Sequence, residues 1–308
     1  MILTICPNPS IDCTIELDSL NVGKLNRIAN KVETYSGKAL NVAIGVARLN
    51  EECFTTGFMF EDHGRLFEHN LEKNGVSYDF VYNKGSARVN YKIIDKKSML
   101  TEINDKGGEV SEKKQRELIE KVKVLSEKAE ILVMSGSLPK GVSPEFYGEV
   151  LSVVPENVKV IIDAEKENAL CALKTRKIFM VKPNLTELEK FSGEKAETLA
   201  DMVRCSKKYM EAGAENVLIS MGAEGAVYTD GNESFYCKSA SVAVNSTVGA
   251  GDSMIAAACV ALKHGKGKAE LLKMSVAAGT AAVTTSGTNL FYKDKYDEIY
   301  SKIFVERL

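Results

Sequence analysis

The sequence predicts an α/β fold with a mainly parallel central sheet and a small second β-sheet. Short runs rich in Val, Ile and Leu alternate with stretches of helical periodicity, which is typical of parallel strands covered by helices on both faces. Residues 12–36 and 85–103 break this rhythm, because polar and apolar residues alternate there with no helix between them. We expect these two inserts to form a half-exposed antiparallel sheet that serves as a lid. The length of 308 residues fits one domain spanning 1–308.

The predicted strands and helices follow one another regularly along the chain. Strands are predicted at 1–6, 52–60, 130–136, 158–164, 177–184 and 215–222. Helices are predicted at 38–50, 64–75, 111–128, 143–153, 166–173 and 185–212, and from 251 onward. The first helix carries an apolar stripe, and the second ends on a glycine, as helices commonly do.

Composition excludes several classes of function. Lys and Arg number 40 against 42 Asp and Glu, a net charge of −2, so we expect neither nucleic acid nor a membrane surface as partner. The seven cysteines show no CxxC spacing, which indicates reduced thiols and a cytoplasmic protein. The three histidines form no HExxH pattern, so zinc chemistry is not expected. We also expect no signal peptide and no membrane-spanning segment.

Polar residues and glycines follow three of the predicted strands. These stretches are SGSLPKG at 135–141, KPNLTE at 182–187 and SMGAEGA at 220–226. The carboxyl ends of parallel strands share one edge of a sheet, and open α/β sheets bind ligands there. The sequence therefore predicts a ligand cleft at this edge.

The stretch NSTVGAGDSM (245–254) places Gly249 and Gly251 directly before Asp252 and an alanine-rich run. Glycines at a helix N-terminus let backbone N–H groups converge on an anion, and the helix dipole adds positive charge. We expect Asp252 to be ionised at neutral pH and to accept a hydroxyl proton while the amides hold a transferring phosphoryl group. Alternatively, the glycines form a tight turn and Asp252 only caps the helix.

Taken together, GAGD, KPNLTE, SGKALNVA and NPSID (8–12) resemble the ribokinase-like carbohydrate kinases. The similarity is to the phosphofructokinase B branch, which includes 1-phosphofructokinases and tagatose-6-phosphate kinases, and it covers nearly the whole chain. RVNYKI (88–93) and TEIND (101–105) are closer to the 1-phosphofructokinases. The resemblance implies a three-layer sandwich with a β-sheet lid, and a sugar-phosphate kinase that uses ATP and Mg²⁺. There is no GxxxxGK[ST] loop, so a P-loop is not expected.

The resemblance implies a role for each matching residue. Asp252 is the expected catalytic base, and the anion hole consists of Gly249, Ala250 and Gly251. The residues expected to bind the sugar phosphate are Asp12, Gly37, Lys38, Asn41, Arg88, Lys92 and Arg27. The residues expected to bind the nucleotide are Lys182, Asn184, Glu187, Ser220, Gly222, Gly225 and Thr247. Magnesium is assigned to Asn184 and Glu187.

Three of these assignments have structural alternatives. Lys38 is equally explained as a solvated surface residue. Arg88 is explained as a charge that protects a sheet edge, and Glu187 as compensation of a helix dipole.

The chain departs from the family pattern at several positions. Ser36 and Ala39 stand where the family usually has glycine, and we expect the methyl group of Ala39 to narrow the sugar-phosphate pocket. DAEKENA (163–169) stands in place of DTSG, and Ala87 in place of a threonine before Arg88. These changes bear on substrate identity more than on reaction type.

The predicted reaction is transfer of the γ-phosphoryl group of ATP to a ketohexose phosphate. Fructose 1-phosphate, giving fructose 1,6-bisphosphate, is the first candidate, and tagatose 6-phosphate and fructose 6-phosphate are the alternatives. A hypothesis from another class is a ribokinase-fold sensor without turnover, which the presence of Asp252 disfavours. The exposed lid sheet also permits a homodimer.

Overall fold

The computed structural model describes residues 1–97, 99–285 and 290–308. Within these ranges the strands are β1 (Ile2–Cys6), β2 (Ser10–Leu17), β3 (Asn30–Ser36), β4 (Cys53–Asp62), β5 (Ser77–Tyr78), β6 (Val81–Ser86), β7 (Arg88–Asp95), β8 (Leu100–Asn104), β9 (Ile131–Ser135), β10 (Lys159–Asp163), β11 (Ile178–Val181), β12 (Ala214–Ser220), β13 (Ala226–Thr229), β14 (Ser234–Cys237) and β15 (Val305–Arg307). The helices are α1 (Lys38–Arg48), α2 (Gly64–Lys73), α3 (Glu112–Ser126), α4 (Glu145–Ser152), α5 (Lys166–Thr175), α6 (Leu185–Ser192), α7 (Leu199–Glu211), α8 (Ala250–Lys263), α9 (Lys268–Ala282) and α10 (Lys293–Tyr300).

The central sheet is mainly parallel. Its order is β15-β14-β13-β12-β11-β10-β9-β1-β4-β5, and β6 pairs with β4 as well. Seven neighbouring strands in this order, β12, β11, β10, β9, β1, β4 and β5, run parallel to one another. β13, β14 and β15 add an antiparallel edge next to β12. All six strands predicted from the sequence lie in this sheet.

Helices cover the sheet on both faces. Every residue of β1 and β9 is buried, so side chains on both faces of these strands are shielded from water. α1, α8, α9 and α10 pack in succession, and α3 to α7 form a second row. The result is the expected three-layer α/β sandwich.

The inserted sheet has the order β3-β2-β7-β8. β2 is antiparallel to β3, and β7 to β8, as predicted, but β2 and β7 are parallel. The antiparallel prediction was wrong for this pair because β2 follows β1 and β7 follows β6. Since β1 and β6 are both parallel to β4, the two inserts leave the body in the same direction.

Two helical predictions need correction. The segment 185–212 is two helices, because Gly193 ends α6 with a φ of 78° and Thr198 caps the start of α7. The C-terminal segment is not helical throughout, since β15 pairs with β14 and completes the sheet edge. Residues 98 and 286–289 of the predicted segments lie outside the described ranges. Among the described helices, none is both long and apolar enough to cross a bilayer.

Candidate active site

α8 begins at the predicted GAGD stretch, and its two glycines are required by close contacts. Gly249 is the N-cap, with a φ of 80°, and a Cβ there would lie 2.9 Å from Leu290 Cδ2. A Cβ on Gly251 would lie 3.0 Å from the Nζ of Lys182. Gly251 therefore lets the buried ammonium group of Lys182 approach the backbone at the start of the helix.

Asp252 lies in the first turn of α8 and is only 6% exposed. The side-chain amide of Asn41, in the first turn of α1, donates a 2.8 Å hydrogen bond to its Oδ2. Burial raises the pKa of Asp252 to about 6, and the positive charge of Lys38 opposes the rise. The carboxyl group is thus mainly ionised at neutral pH, but desolvation, not stabilisation by N–H groups, has the largest effect on its pKa.

A second buried carboxylate, Asp163, lies at the end of β10. Lys38 Nζ is 3.3 Å from both of its oxygens, and Lys182 Nζ is 3.6 Å from Oδ1. Ser135, at the end of β9, donates a 3.2 Å hydrogen bond to Oδ2. Burial raises the pKa of Asp163, but Lys182 and Lys38 outweigh this effect and the net shift is downward. Asp163 was not predicted as a site residue, although it lies near the end of a predicted strand at the predicted edge.

Lys38 is not simply a solvated surface lysine. Its side chain is 44% exposed, and the charge of Asp163 raises its pKa. Gly37 is the N-cap of α1, and a Cβ there would lie 2.8 Å from the Sγ of Cys6, so α1 starts close to the end of β1. One helix start therefore carries both Lys38 and Asn41 to carboxylates on other elements.

One face of the inserted sheet collects polar side chains. In the β2–β7 register Ser10 pairs with Arg88, Asp12 with Asn90 and Thr14 with Lys92. Because side chains on a strand alternate between faces, Arg88, Asn90 and Lys92 share the face of Asp12. Asp12 accepts hydrogen bonds from Ser36 Oγ at 2.7 Å and from Asn90 Nδ2 at 3.0 Å. The sequence analysis missed Asn90.

Two buried polar atoms on this face have no partner within the described ranges, Arg88 Nε and Asn90 Oδ1. Buried polar atoms are nearly always hydrogen-bonded in native proteins. This donor and this acceptor beside Asp12 are groups that a bound polar ligand would satisfy. Edge protection does not account for Arg88, because its Nε is buried.

The remaining predictions for the sugar side have different outcomes. Arg27 lies in the exposed segment between β2 and β3, and no hydrogen bond or ion pair among the described residues connects it to the other predicted residues. Ala39 is fully buried in the core, so the expectation that its methyl group narrows the sugar-phosphate pocket was wrong. The hydroxyl group of Ser36 donates a hydrogen bond to the carboxylate of Asp12.

A pocket of about 660 Å³ adjoins the start of α8. The predicted residues that line it are Asn184, Ser220, Gly222, Gly225, Thr247, Ala250 and Gly251. Its apolar walls, which the sequence analysis did not assign, include Val242, Val244, Met254, Val276 and Val283. The volume and the mixture of apolar walls with a few polar groups are typical of small-molecule sites.

Asn184 and Glu187 form the capping box of α6. The Asn184 N–H donates to Glu187 Oε2 at 2.8 Å, and the Glu187 N–H donates to Asn184 Oδ1 at 2.9 Å. The box uses one carboxylate oxygen and leaves Oε1 outside it. In the described part of the chain, no three His, Cys, Asp or Glu side chains cluster as a metal site. This donor set fits Mg²⁺, which keeps several waters and takes few protein ligands beside substrate phosphates.

The sequence matches the pfkB family of carbohydrate kinases over residues 8–295. It is 30% identical to a 1-phosphofructokinase from Vibrio cholerae, with 100% of this chain and 97% of the relative covered. It is also 30% identical to a tagatose-6-phosphate kinase from Staphylococcus epidermidis, with 99% of both chains covered.

The fold is similar to that of phosphofructokinase-2 from Escherichia coli, solved in complex with potassium. The TM-score is 0.90 at 28% identity, and 98% of both chains is covered. The chain therefore belongs to the pfkB family of carbohydrate kinases, and it is a sugar-phosphate kinase, a phosphotransferase acting on an alcohol group.

Proposed function

We propose that this kinase transfers the γ-phosphoryl group of ATP to fructose 1-phosphate, with Asp252 as the general base. The observation that carries the proposal is the position of Asp252. Its carboxylate is desolvated and accepts a hydrogen bond from Asn41. The two residues before it, Ala250 and Gly251, are part of the lining of the 660 Å³ pocket. ATP would occupy that pocket with its phosphates toward the start of α8.

In the proposed reaction Asp252 accepts the proton of the sugar hydroxyl. The hydroxyl oxygen forms a bond to the γ-phosphorus, the bond from phosphorus to the β–γ bridging oxygen breaks, and ADP leaves. Backbone N–H groups at Gly249, Ala250 and Gly251 would hold the oxygens of the transferring group. Lys182 lies against Gly251 and would add positive charge there.

Bound Mg²⁺ would neutralise charge on the ATP phosphates. We assign its waters to Asn184 and to the carboxylate oxygen of Glu187 that the capping box leaves available. Asn184 lines the pocket, and Lys182, two residues before it, lies against Gly251 at the start of α8, which supports a place for this pair near the ATP phosphates.

The phosphate of the sugar substrate would bind to Arg88, Lys92 and Lys38. The open Nε of Arg88 supports this assignment, because arginine offers fixed N–H donors that match phosphate oxygens. Asp12 and Asn90 would bind sugar hydroxyls on the same face of the inserted sheet. Ser36 orients Asp12 from β3.

The substrate is the open part of the proposal, because the relatives include both 1-phosphofructokinases and tagatose-6-phosphate kinases. The deciding experiment measures ADP formation from MgATP with fructose 1-phosphate, tagatose 6-phosphate, fructose 6-phosphate and free fructose. The highest kcat/KM is expected with fructose 1-phosphate. A higher kcat/KM with another phosphosugar would change the substrate assignment and leave the assignment as a kinase intact. Binding of ATP and sugar phosphate without ADP formation would favour the sensor hypothesis.

We also propose a homodimer through the inserted sheet. Large apolar side chains are exposed on it and on the segment that joins β2 to β3: Val22, Leu25, Ile28, Val32, Leu100 and Ile103. This concentration of exposed apolar side chains on one part of the chain supports an interface there. Leu25→Asp with Leu100→Asp is expected to shift the sedimentation coefficient from dimer to monomer, and a monomeric wild-type protein would refute the proposal.

A further inference from the structure

One wall of the 660 Å³ pocket includes a threonine whose hydroxyl group is buried and has no partner among the described residues. The last turns of α9 and the residue after it contribute Val276, Gly279, Thr280 and Val283 to the lining. Of these four side chains, only that of Thr280 has a polar atom. Thr280 is 5% exposed, and its Oγ1 has no hydrogen-bond partner in the described parts of the chain.

Other buried hydroxyl groups on helices here are satisfied by their own helix. Ser275, one turn earlier in α9, donates a 2.8 Å bond to the carbonyl of Leu271. Ser253 in α8 donates in the same way to Gly249 at 2.8 Å. The corresponding acceptor for Thr280 is the carbonyl of Val276, and it is not used. Because leaving a buried hydroxyl unpaired costs stability, Thr280 is a site where a bound ligand would supply the missing partner.

The position of Thr280 indicates which part of a ligand it would meet. Under the proposed function the ATP phosphates lie at Gly251, at the start of α8, and near Asn184, which follows the Lys182 whose Nζ lies against Gly251. Thr280 shares one face of α9 with Val276, four positions before it, and Val283, three positions after it, and these apolar residues line the pocket with it. Apolar walls of this kind accept the flat faces of an aromatic ring, while a hydroxyl can donate to a ring nitrogen or accept from an amino group at its edge.

We propose that Thr280 Oγ1 hydrogen-bonds to the edge of the nucleotide base. The inference rests on the proposed function, since it takes this pocket as the ATP site. Thr280 would contribute to affinity for the nucleoside part of ATP and not to phosphoryl transfer. KM for ATP should therefore depend on it, whereas kcat at saturating ATP should not.

The test compares Thr280→Val, which replaces the hydroxyl with a methyl of similar size, with Thr280→Ser, which keeps the hydroxyl. Ser275→Ala is the matched control, because it removes a buried hydroxyl from the same helix outside the pocket lining. Affinities for MgATP, ADP and inorganic tripolyphosphate are measured by calorimetry. KM and kcat are measured with saturating sugar phosphate, and the melting temperature is measured without ligand.

Thr280→Val is expected to weaken ATP and ADP binding about five-fold, the loss of one neutral hydrogen bond, and to leave tripolyphosphate binding unchanged. It should also raise the ligand-free melting temperature by about 2 °C, because the unpaired hydroxyl is gone. Thr280→Ser and Ser275→Ala should bind ATP as the wild type does.

Unchanged ATP affinity in Thr280→Val would overturn the inference, as would an equal loss for tripolyphosphate. If the wild-type protein bound neither ATP nor ADP, both this inference and the proposed function would be wrong. If the wild type bound ATP and Thr280→Val bound it with the same affinity, only the role of Thr280 would be wrong.

Discussion

The side-chain amide of Asn41 donates a 2.8 Å hydrogen bond to Oδ2 of Asp252, across 211 positions of sequence. The bond joins the first turn of α1 to the first turn of α8. Burial raises the pKa of Asp252 to about 6, and Lys38 and this bond oppose the rise. The carboxylate is therefore desolvated yet mainly ionised at neutral pH, which suits a group that must accept a proton.

Asp252→Asn tests the assignment of the base. Asparagine keeps the size of aspartate and an oxygen that can accept the hydrogen bond from Asn41, but it cannot take the hydroxyl proton. Turnover is expected to fall by about 10²–10⁴-fold, the usual cost of losing a general base. ATP binding, measured by calorimetry, should persist. A variant with more than half of the wild-type turnover would show that Asp252 is not the general base.

The melting temperature of the same variant separates loss of the base from damage to the fold. A raised folded-state pKa means that Asp252 favours the folded state when protonated, and that this stability is lost as pH rises from about 4 through about 6. Asp252→Asn should therefore melt above the wild type at neutral pH. The difference should disappear below about pH 4, where aspartate is protonated in both states.

Asn41→Ala tests the hydrogen bond through the pH profile. Because the bond lowers the pKa of Asp252, its removal should raise that pKa and move the acid limb of kcat/KM to higher pH. The profile is measured with fructose 1-phosphate from about pH 5 to about pH 9. Asn74→Ala, at the end of α2, is the control and should leave the limb in place. A uniform loss at all pH values would mean that Asn41 does not act on the ionisation of Asp252.

Glu187→Gln tests the magnesium assignment. Glutamine can keep the capping box with Asn184, so the variant removes the charge and keeps the start of α6. The Mg²⁺ concentration for half-maximal rate should rise. Asp201→Asn changes a carboxylate in the capping box of α7 and should have no such effect. If the magnesium dependence does not change, Glu187 has only its helix-capping role.

Arg88→Met tests recognition of the substrate phosphate. Removing one partner of a desolvated charge pair costs about 2–5 kcal/mol, so kcat/KM for fructose 1-phosphate should fall about 30-fold or more. The slow ATP hydrolysis without sugar, and any activity on free fructose, should hardly change. Lys31→Met is the control, because Lys31 pairs with Ile15 in the β2–β3 register and lies on the opposite face of the inserted sheet from Asp12. Equal losses on free and phosphorylated sugar would mean that Arg88 supports the fold of the inserted sheet and does not bind the phosphate.

Much of the candidate site could be predicted because it depends on local pattern. The carboxyl ends of parallel strands meet at one edge, so polar residues after those strands, such as Asn184 and Ser220, were expected together, and both line the pocket. The start of α8 was likewise expected from its glycines. Alternation alone did not determine strand direction, which is why the parallel pairing of β2 with β7 was missed.

The sequence by itself determined the order of the six predicted parallel strands, the family resemblance and the helix start that carries Asp252, since each is encoded in a short contiguous pattern. Only the tertiary structure decided that Asp163 binds Lys38 and Lys182, that Asn90 binds Asp12, and that Thr280 has no partner. Those relationships join strand ends, helix starts and inserts that are distant in the chain. They depend on which side chains packing brings within hydrogen-bonding distance and which polar atoms it leaves unpaired, and no local spacing encodes that.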